Sequence, residues 1–269
     1  PPHNLGEIID ATLMLLDNPE LVLNDLLEVV KGPDFPTGAY IVGTSGIRSA
    51  FATGRGSVKL RAVCDIEDNK IIVTELAYQT SVESIERKIA ELVNNKELEG
   101  IRALRNESAK GKTRLVVELK RDANANVVLN NLFKRTQLQT SFGVNMLALV
   151  DGVPKQINLL KAIQVYIEHQ KEVITRRTQF RLDKANARLH IVEGLLKAID
   201  MLDEVIATIR QSQTVQIAKD KLVSKLFDFT EIQASHILDM PLRRLTGLEL
   251  QKLAEEKLEL MKLVTFLKE

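Results

Sequence analysis

Residues 182–206 read LDKANARLHIVEGLLKAIDMLDEVI, and the spacing of their apolar side chains decides the architecture. Leu182, Ala185, Leu189, Val192, Leu196, Ile199 and Ile206 recur in steps of 3 and 4, with Asp203 as the polar exception on the row. That pattern is a heptad seam, the mark of helices packed along their length. Around it, Leu159 to Arg210 holds no proline and a single glycine, Gly194, so little in the stretch stops a helix. At 1.5 Å per residue such a helix would reach about 75–80 Å, more than a compact domain needs. A second helical pattern, Thr246 to Lys268, is placed to run back beside it. The expectation is a long antiparallel helical coiled-coil arm over residues 158–210 and 246–269.

Residues 211–245 interrupt the helix pair and read as a small all-α globule at the tip of the arm. Thr214–Phe227 and Thr230–Asp239 have helical patterns, and Pro241 breaks them. So small a unit buries little apolar surface by itself. Leu238, Met240, Leu242 and Leu245 are therefore expected to bury the remainder against a second copy of the chain. A self-contained cap on the hairpin is the plain alternative.

Residues 1–157 mix helices and strands and read as an α+β domain. Asn4 with Glu7 three residues on makes a capping-box start, with Leu5, Ile8, Ile9, Leu13 and Leu16 as the expected buried face. A short helix over 21–31 ends at Gly32-Pro33, and Ala39–Gly43 reads as a short buried strand. Val58, Leu60, Ala62, Cys64 and Ile66 alternate with Lys59 and Arg61, which predicts a half-buried strand paired with residues 70–76. Ser81–Val93 is amphipathic, Arg114–Lys120 is strand-like, Asp122 opens a helix through Phe133, and a hairpin turns at Asp151-Gly152.

Charge is segregated although the net charge is only +1. Residues 1–34 carry seven acids and one lysine; residues 102–121 carry seven basic and two acidic side chains, and residues 155–190 eight against three. Local basic surfaces on a neutral chain favour contact with a polyanion, with ordinary solvated faces as the bland alternative. A single cysteine, Cys64, excludes an internal disulfide and fits a reducing compartment. No apolar run approaches the ~20 residues that cross a bilayer, so the chain reads as cytosolic. It opens on Pro1-Pro2-His3-Asn4 without a methionine and reads as a piece of a longer polypeptide.

Catalytic motifs do not assemble. Gly111-Lys112-Thr113 resembles the end of a phosphate loop, but Asn106 stands where that pattern needs glycine, and a strand follows in place of a helix. His3, His169, His190 and His236 are scattered without metal-ligand spacing, so no metal site is expected. Gly54-Arg55-Gly56 is more telling: two glycines let the backbone approach a ligand while the guanidinium grips a phosphate. Lys59 and Arg61 follow on one strand face, and Arg48 precedes. Arg48, Arg55, Lys59 and Arg61 form a candidate set for backbone-phosphate contact, useful for positioning and not for reading sequence. A surface turn with an exposed arginine is the default alternative.

Several motifs in order carry a resemblance. Pro1-Pro2-His3-Asn4-Leu5, Gly32-Pro33-Asp34-Phe35-Pro36-Thr37, Thr53-Gly54-Arg55-Gly56, Lys88-Ile89-Ala90-Glu91-Leu92, Val128-Leu129-Asn130-Asn131-Leu132, Ile237-Leu238-Asp239-Met240 and Leu242-Arg243-Arg244-Leu245-Thr246-Gly247-Leu248-Glu249 resemble the A subunits of bacterial DNA gyrase, a type IIA topoisomerase. Gln139–Met146 resembles gyrase more than its paralogue, the A subunit of topoisomerase IV. The likeness covers essentially the whole chain. It implies a tower domain over 1–157, a coiled-coil arm and a dimerisation globule (the C-gate) over 211–245.

In that family two A subunits join two B subunits in an A2B2 complex, cut double-stranded DNA through phosphotyrosyl bonds and pass a second duplex. ATP and Mg2+ are used through the B subunit, which leaves this chain with no cofactor of its own and no membrane partner. The family nucleophile is a tyrosine after an arginine, whereas Tyr40, Tyr78 and Tyr166 follow Ala39, Ala77 and Val165. No catalytic residue is carried over, and the chain alone should be inactive. Val82 stands where the family often has a lysine, so no DNA contact is carried there. The rival readings are the A subunit of topoisomerase IV and a non-enzymatic coiled-coil scaffold.

Overall fold

A computed structural model describes residues 2–269, and its contacts divide the chain into two compact units, Pro1–His169 and Gln170–Glu269. In the first unit α1 (Leu5–Asp17) is capped by Asn4, whose Oδ1 accepts the Glu7 amide, while the Glu7 carboxylate turns to the Lys31 amide. The buried side of α1 is not the one expected from its leucines. Ala11 and Leu15 lie in the core and Ile8 packs against it as expected, while Leu5 is 73 % exposed and Ile9, Leu13 and Leu16 lie on the open side. Small Ala11 permits the close approach, so the larger stripe faces outward.

Two sheets organise this unit. The first has the order β1 (Tyr40–Ile41), β2 (Arg55–Arg61), β7 (Gln139–Asn145) and is antiparallel throughout. The expected buried strand at 39–43 shrinks to two residues on the sheet edge, with Tyr40 exposed. The second sheet has the order β3 (Val63–Glu67), β4 (Lys70–Glu75), β6 (Leu115–Leu119), β5 (Ile101–Asn106). The alternating run from 57 to 66 is thus two strands in two sheets, with a register shift at Val63/Cys64. Beyond that bulge the buried alternation fails, and Ile66 is exposed. A separate hairpin pairs β8 (Leu147–Val150) with β9 (Val153–Gln156).

Each sheet has its own core. The α4 helix (Val82–Asn94, capped by Ser81) and α5 (Ala125–Arg135, capped by Asn124, not Asp122) cover the second sheet, placing Ile85, Ile89, Leu92, Val128 and Leu132 on Ile71, Val73, Leu115 and Val117. The first sheet packs Val58, Leu60 and Val144 against α3 (Ser45–Thr53), α1 and the short α2 (Leu23–Leu26). Phe35, Tyr78 and Phe142 pack their rings 5.3–5.7 Å apart in the same core, fixing β7 from within.

The long helix α6 runs Leu159–Asp200 and stops at Met201, whose φ of −119° and ψ of 40° are not helical; α7 resumes at Leu202–Arg210. The uninterrupted helix to Arg210 is therefore corrected. The break rotates the apolar face by one position. Val205 is buried in place of Ile206, and Asp203, the exception on the seam, turns to solvent.

In the second unit α8 (Val215–Val223), α9 (Glu231–Leu238), a 3-10 turn at Leu242–Leu245 and α10 (Gly247–Lys268) complete the chain. Val192, Leu195, Ala198, Val205, Leu222, Phe227, Phe229, Ala234, Ile237 and Leu253 form one small core shared by all five helices. Gly194 is the notch in α6 that receives α9: a Cβ there would lie 2.5 Å from the Gln233 side chain. Gln233 uses the notch to donate to the His190 carbonyl at 2.8 Å. Ion pairs tie α6 to α10 through Arg188–Glu256 and Glu193–Lys257.

Candidate nucleic-acid interface

Alternation along β2 sends Gly56, Val58 and Leu60 inward and Arg55, Ser57, Lys59 and Arg61 outward. Register on the neighbouring strands fills the rest of that outer face. Arg55 lies opposite Asn145, Ser57 opposite Gly143, Lys59 opposite Ser141, and Arg61 between Gln139 and Tyr40. Directly paired residues share a face, so three cations stand on a sheet surface whose cross-strand partners include no carboxylate. Lys59 and Arg61 are two residues apart, about 7 Å along a strand.

The three cations are not equivalent. Arg55 and Lys59 are exposed, and neither forms an ion pair among the described residues. Arg61 is half-buried: its Nε donates to Gln139 Oε1 at 2.8 Å, and its guanidinium lies 4.7 Å from the centre of the Phe133 ring. It is held in place as much as it is offered. Arg48 does not join the row. It sits exposed on α3, whose Ile47, Ala50 and Phe51 pack into the core with Val58 and Leu60, so that helix covers the opposite face of the sheet.

The glycines flanking Arg55 have a different purpose from ligand approach. Gly54 is the left-handed C-cap of α3 (φ 80°), and a Cβ there would strike the Ile157 carbonyl. A Cβ on Gly56 would strike the Gly46 carbonyl and sit 2.8 Å from Ala50. These glycines let α3 dock onto β2. Ser49 and Thr53 then donate to the Arg55 carbonyl at 3.1 and 2.9 Å, fixing the strand where the arginine leaves it. Lys134, exposed one residue beyond Phe133, is a cation that strand period does not reveal; its signal is the Lys134-Arg135 pair in the last turn of α5.

In the second unit the four residues expected at a dimer contact divide. Leu238 and Met240 pack in part against their own core. Leu245 is half-buried, and Leu242 is 82 % exposed. Among the described residues no group of histidine, cysteine and carboxylate side chains could hold a metal, and no helix is long and apolar enough to cross a membrane. Tyr78 is enclosed by Phe35 and Phe142, whereas Tyr40 and Tyr166 are exposed.

Fold and face define a class: a mixed α+β unit running into a long helix, with a cationic sheet surface opposite its core. The family model for the A subunit of DNA gyrase/topoisomerase IV matches residues 1–269. The chain is 52 % identical over 269 residues to the DNA gyrase A subunit of Streptococcus pneumoniae, covering 98 % of this chain and 33 % of the relative. It is 53 % identical over 272 residues to that of Halalkalibacterium halodurans, covering 100 % and 32 %. For the DNA gyrase A subunit of Clostridium acetobutylicum the identity is 52 % over 273 residues, covering 100 % and 33 %. The chain belongs to the DNA gyrase/topoisomerase IV A-subunit family, and it spans about a third of the length of the curated relatives it matches.

Proposed function

We propose that this chain is the tower and gate portion of a gyrase A subunit, supporting a duplex while double-strand passage changes DNA supercoiling. The observation that carries the reading is the outer face of β2. Arg55 and Lys59 are uncommitted cations, no cross-strand partner is an acid, and the strand is anchored by α3 on one side and β7 on the other. A row whose backbone is fixed in this way sets the spacing of its phosphate contacts and is indifferent to base sequence. Arg61 extends the row at lower strength because it is shared with Phe133 and Gln139. Arg48, on the helix that covers the other face, stands outside the row.

The second unit contributes the exit gate. Leu242 is the centre of a two-fold contact between copies, with Leu245 beside it and Leu238 and Met240 supporting from below. The helix pair α6/α10 is the coiled-coil arm in this reading, and the core shared with α7–α9 is its globule. The whole enzyme works in the bacterial cytoplasm as an A2B2 assembly and takes its ATP and Mg2+ chemistry from the B subunit. No tyrosine of this chain follows an arginine, so the chain by itself neither cuts nor reseals DNA.

Electrophoretic mobility shift with two duplexes of unrelated sequence tests the reading. Equal retardation of both, without strand scission, is the expected result. A strong preference for one duplex, or no retardation at low salt, overturns it.

A further inference from the structure

At its Arg61 end the cationic row meets a second feature. Arg61 stacks on Phe133 and bonds Gln139. The residues between these two contacts, Arg135, Thr136 and Gln137, form one wall of a cleft of about 320 Å³. Its other wall is a face of α4: Ser84, Arg87, Lys88 and Glu91. Ser84 Oγ donates to Gln137 Oε1 across the two elements at 3.4 Å.

Three cations therefore line a cleft whose single lining acid is Glu91. That carboxylate is already held by Lys88 at 3.1 Å, and Arg135 reaches Glu97 outside the cleft at 3.4 Å. Arg87 forms no ion pair among the described residues and is exposed. Its spare charge, beside the Gln137 side-chain amide, whose nitrogen can donate, suits a phosphodiester oxygen. Surface pairs such as Lys88–Glu91 contribute little net stability, so an incoming phosphate can exchange with the carboxylate.

We propose that the α4/α5 cleft is a second seat for the DNA backbone, with Arg87 and Arg135 as its anchors, continuing the path that begins at Arg55 and Lys59. The inference rests on the reading of the β2 face as a duplex support and extends that support onto helices the charge pattern at residues 48–61 gave no reason to include. The occupant is duplex DNA, since a rigid polyanion can engage the row and the cleft together. A free phosphate engages one of them.

Fluorescence anisotropy of a labelled mixed-sequence duplex, titrated with the chain at several salt concentrations, tests it. Three proteins are compared: wild type, Arg87→Ala/Arg135→Ala, and Lys110→Ala/Lys112→Ala, which removes the same charge from the β5–β6 turn. The cleft variant should bind several-fold more weakly and flatten the log–log salt slope by about 1–2, whereas the turn variant keeps the wild-type slope. Thermal melting of each variant should stay near wild type, because the ion pair removed, Arg135–Glu97, is exposed. Wild-type binding with equal slopes for all three overturns the cleft and leaves the β2 face standing. Equal losses in both variants reduce the effect to general charge and also overturn it. No binding by wild type removes the underlying reading, and the cleft with it.

Discussion

Arg188 and Glu256 meet side by side: guanidinium Nε lies 2.6 Å from one carboxylate oxygen and Nη2 lies 2.9 Å from the other. This two-pronged contact fixes the register of α6 against α10, because a shift of either helix by one residue breaks both bonds. Hydrogen bonding from Arg188 is the main cause that holds the Glu256 carboxyl below its usual range, and the same bond raises Arg188. A carboxylate whose folded pKa is depressed contributes its stability above the unfolded value and loses it as pH falls through the folded one. Glu256→Gln should therefore cost about 0.5 kcal/mol near pH 7, a value typical of part-exposed pairs, and almost nothing once the medium is acid enough to protonate Glu256. Urea unfolding of both proteins at neutral and acid pH checks this. Arg188→Lys, which cannot fork but keeps the charge, should lose part of that stability and retain a weaker pH dependence.

The notch at Gly194 gives a prediction that changes sign with its neighbour. In an open helix, alanine in place of glycine gains about 1 kcal/mol. Here the new methyl would overlap Gln233, so Gly194→Ala should destabilise the second unit by about 1 kcal/mol or more. In a Gln233→Ala background the same substitution should stabilise. Thermal melts of the four proteins close the cycle.

Leu242→Asp should convert a dimer to a monomer in sedimentation velocity while leaving helical circular dichroism unchanged, because the side chain is exposed within one chain. Leu222→Asp, by contrast, should lose the fold of the second unit, since Leu222 is fully buried.

Burial pushes the Cys64 thiol up to about 12, with Asp65 adding to the effect and Arg61 opposing it. The thiolate is the reactive form, so the native protein should label with a disulfide reagent at pH 8 far more slowly than the protein in urea. Equal rates would contradict the partial burial of Cys64.

The fold is legible where local pattern and tertiary contact agree. Ser81, Thr214 and Thr230 each cap the helix their positions suggest. Gly111 sits with φ of 76° in the turn between β5 and β6, followed by a strand and not by a phosphate-binding helix. The α1 face misleads because leucine size outweighs Ala11, and only the packing partner shows that a small residue marks the contact. The two-sheet division at Ala62 is hidden because the apolar alternation runs through it from Val58 to Cys64, and the register shift at Val63/Cys64 needs no sequence signal beyond one extra residue.

Within the candidate site, strand period alone places Arg55, Lys59 and Arg61 together. The exclusion of Arg48 requires knowing which face α3 covers. The α4/α5 cleft cannot be read from sequence at all, as its walls come from segments some fifty residues apart (Ser84 and Gln137 are separated by 53). Asp203 is a signal with a meaning of its own: a polar residue on an otherwise apolar seam marks the helix break at Met201.

If the β2 face grips a duplex through its backbone, the salt dependence of affinity measures that grip directly. Duplex affinity is determined between about 50 and 200 mM salt for wild type and for Arg55→Ala/Lys59→Ala. The predicted result is a steep decline of log affinity with log salt for wild type and a slope shallower by about 2 for the variant, one ion-release unit per lost contact. Identical slopes for the two proteins would contradict it.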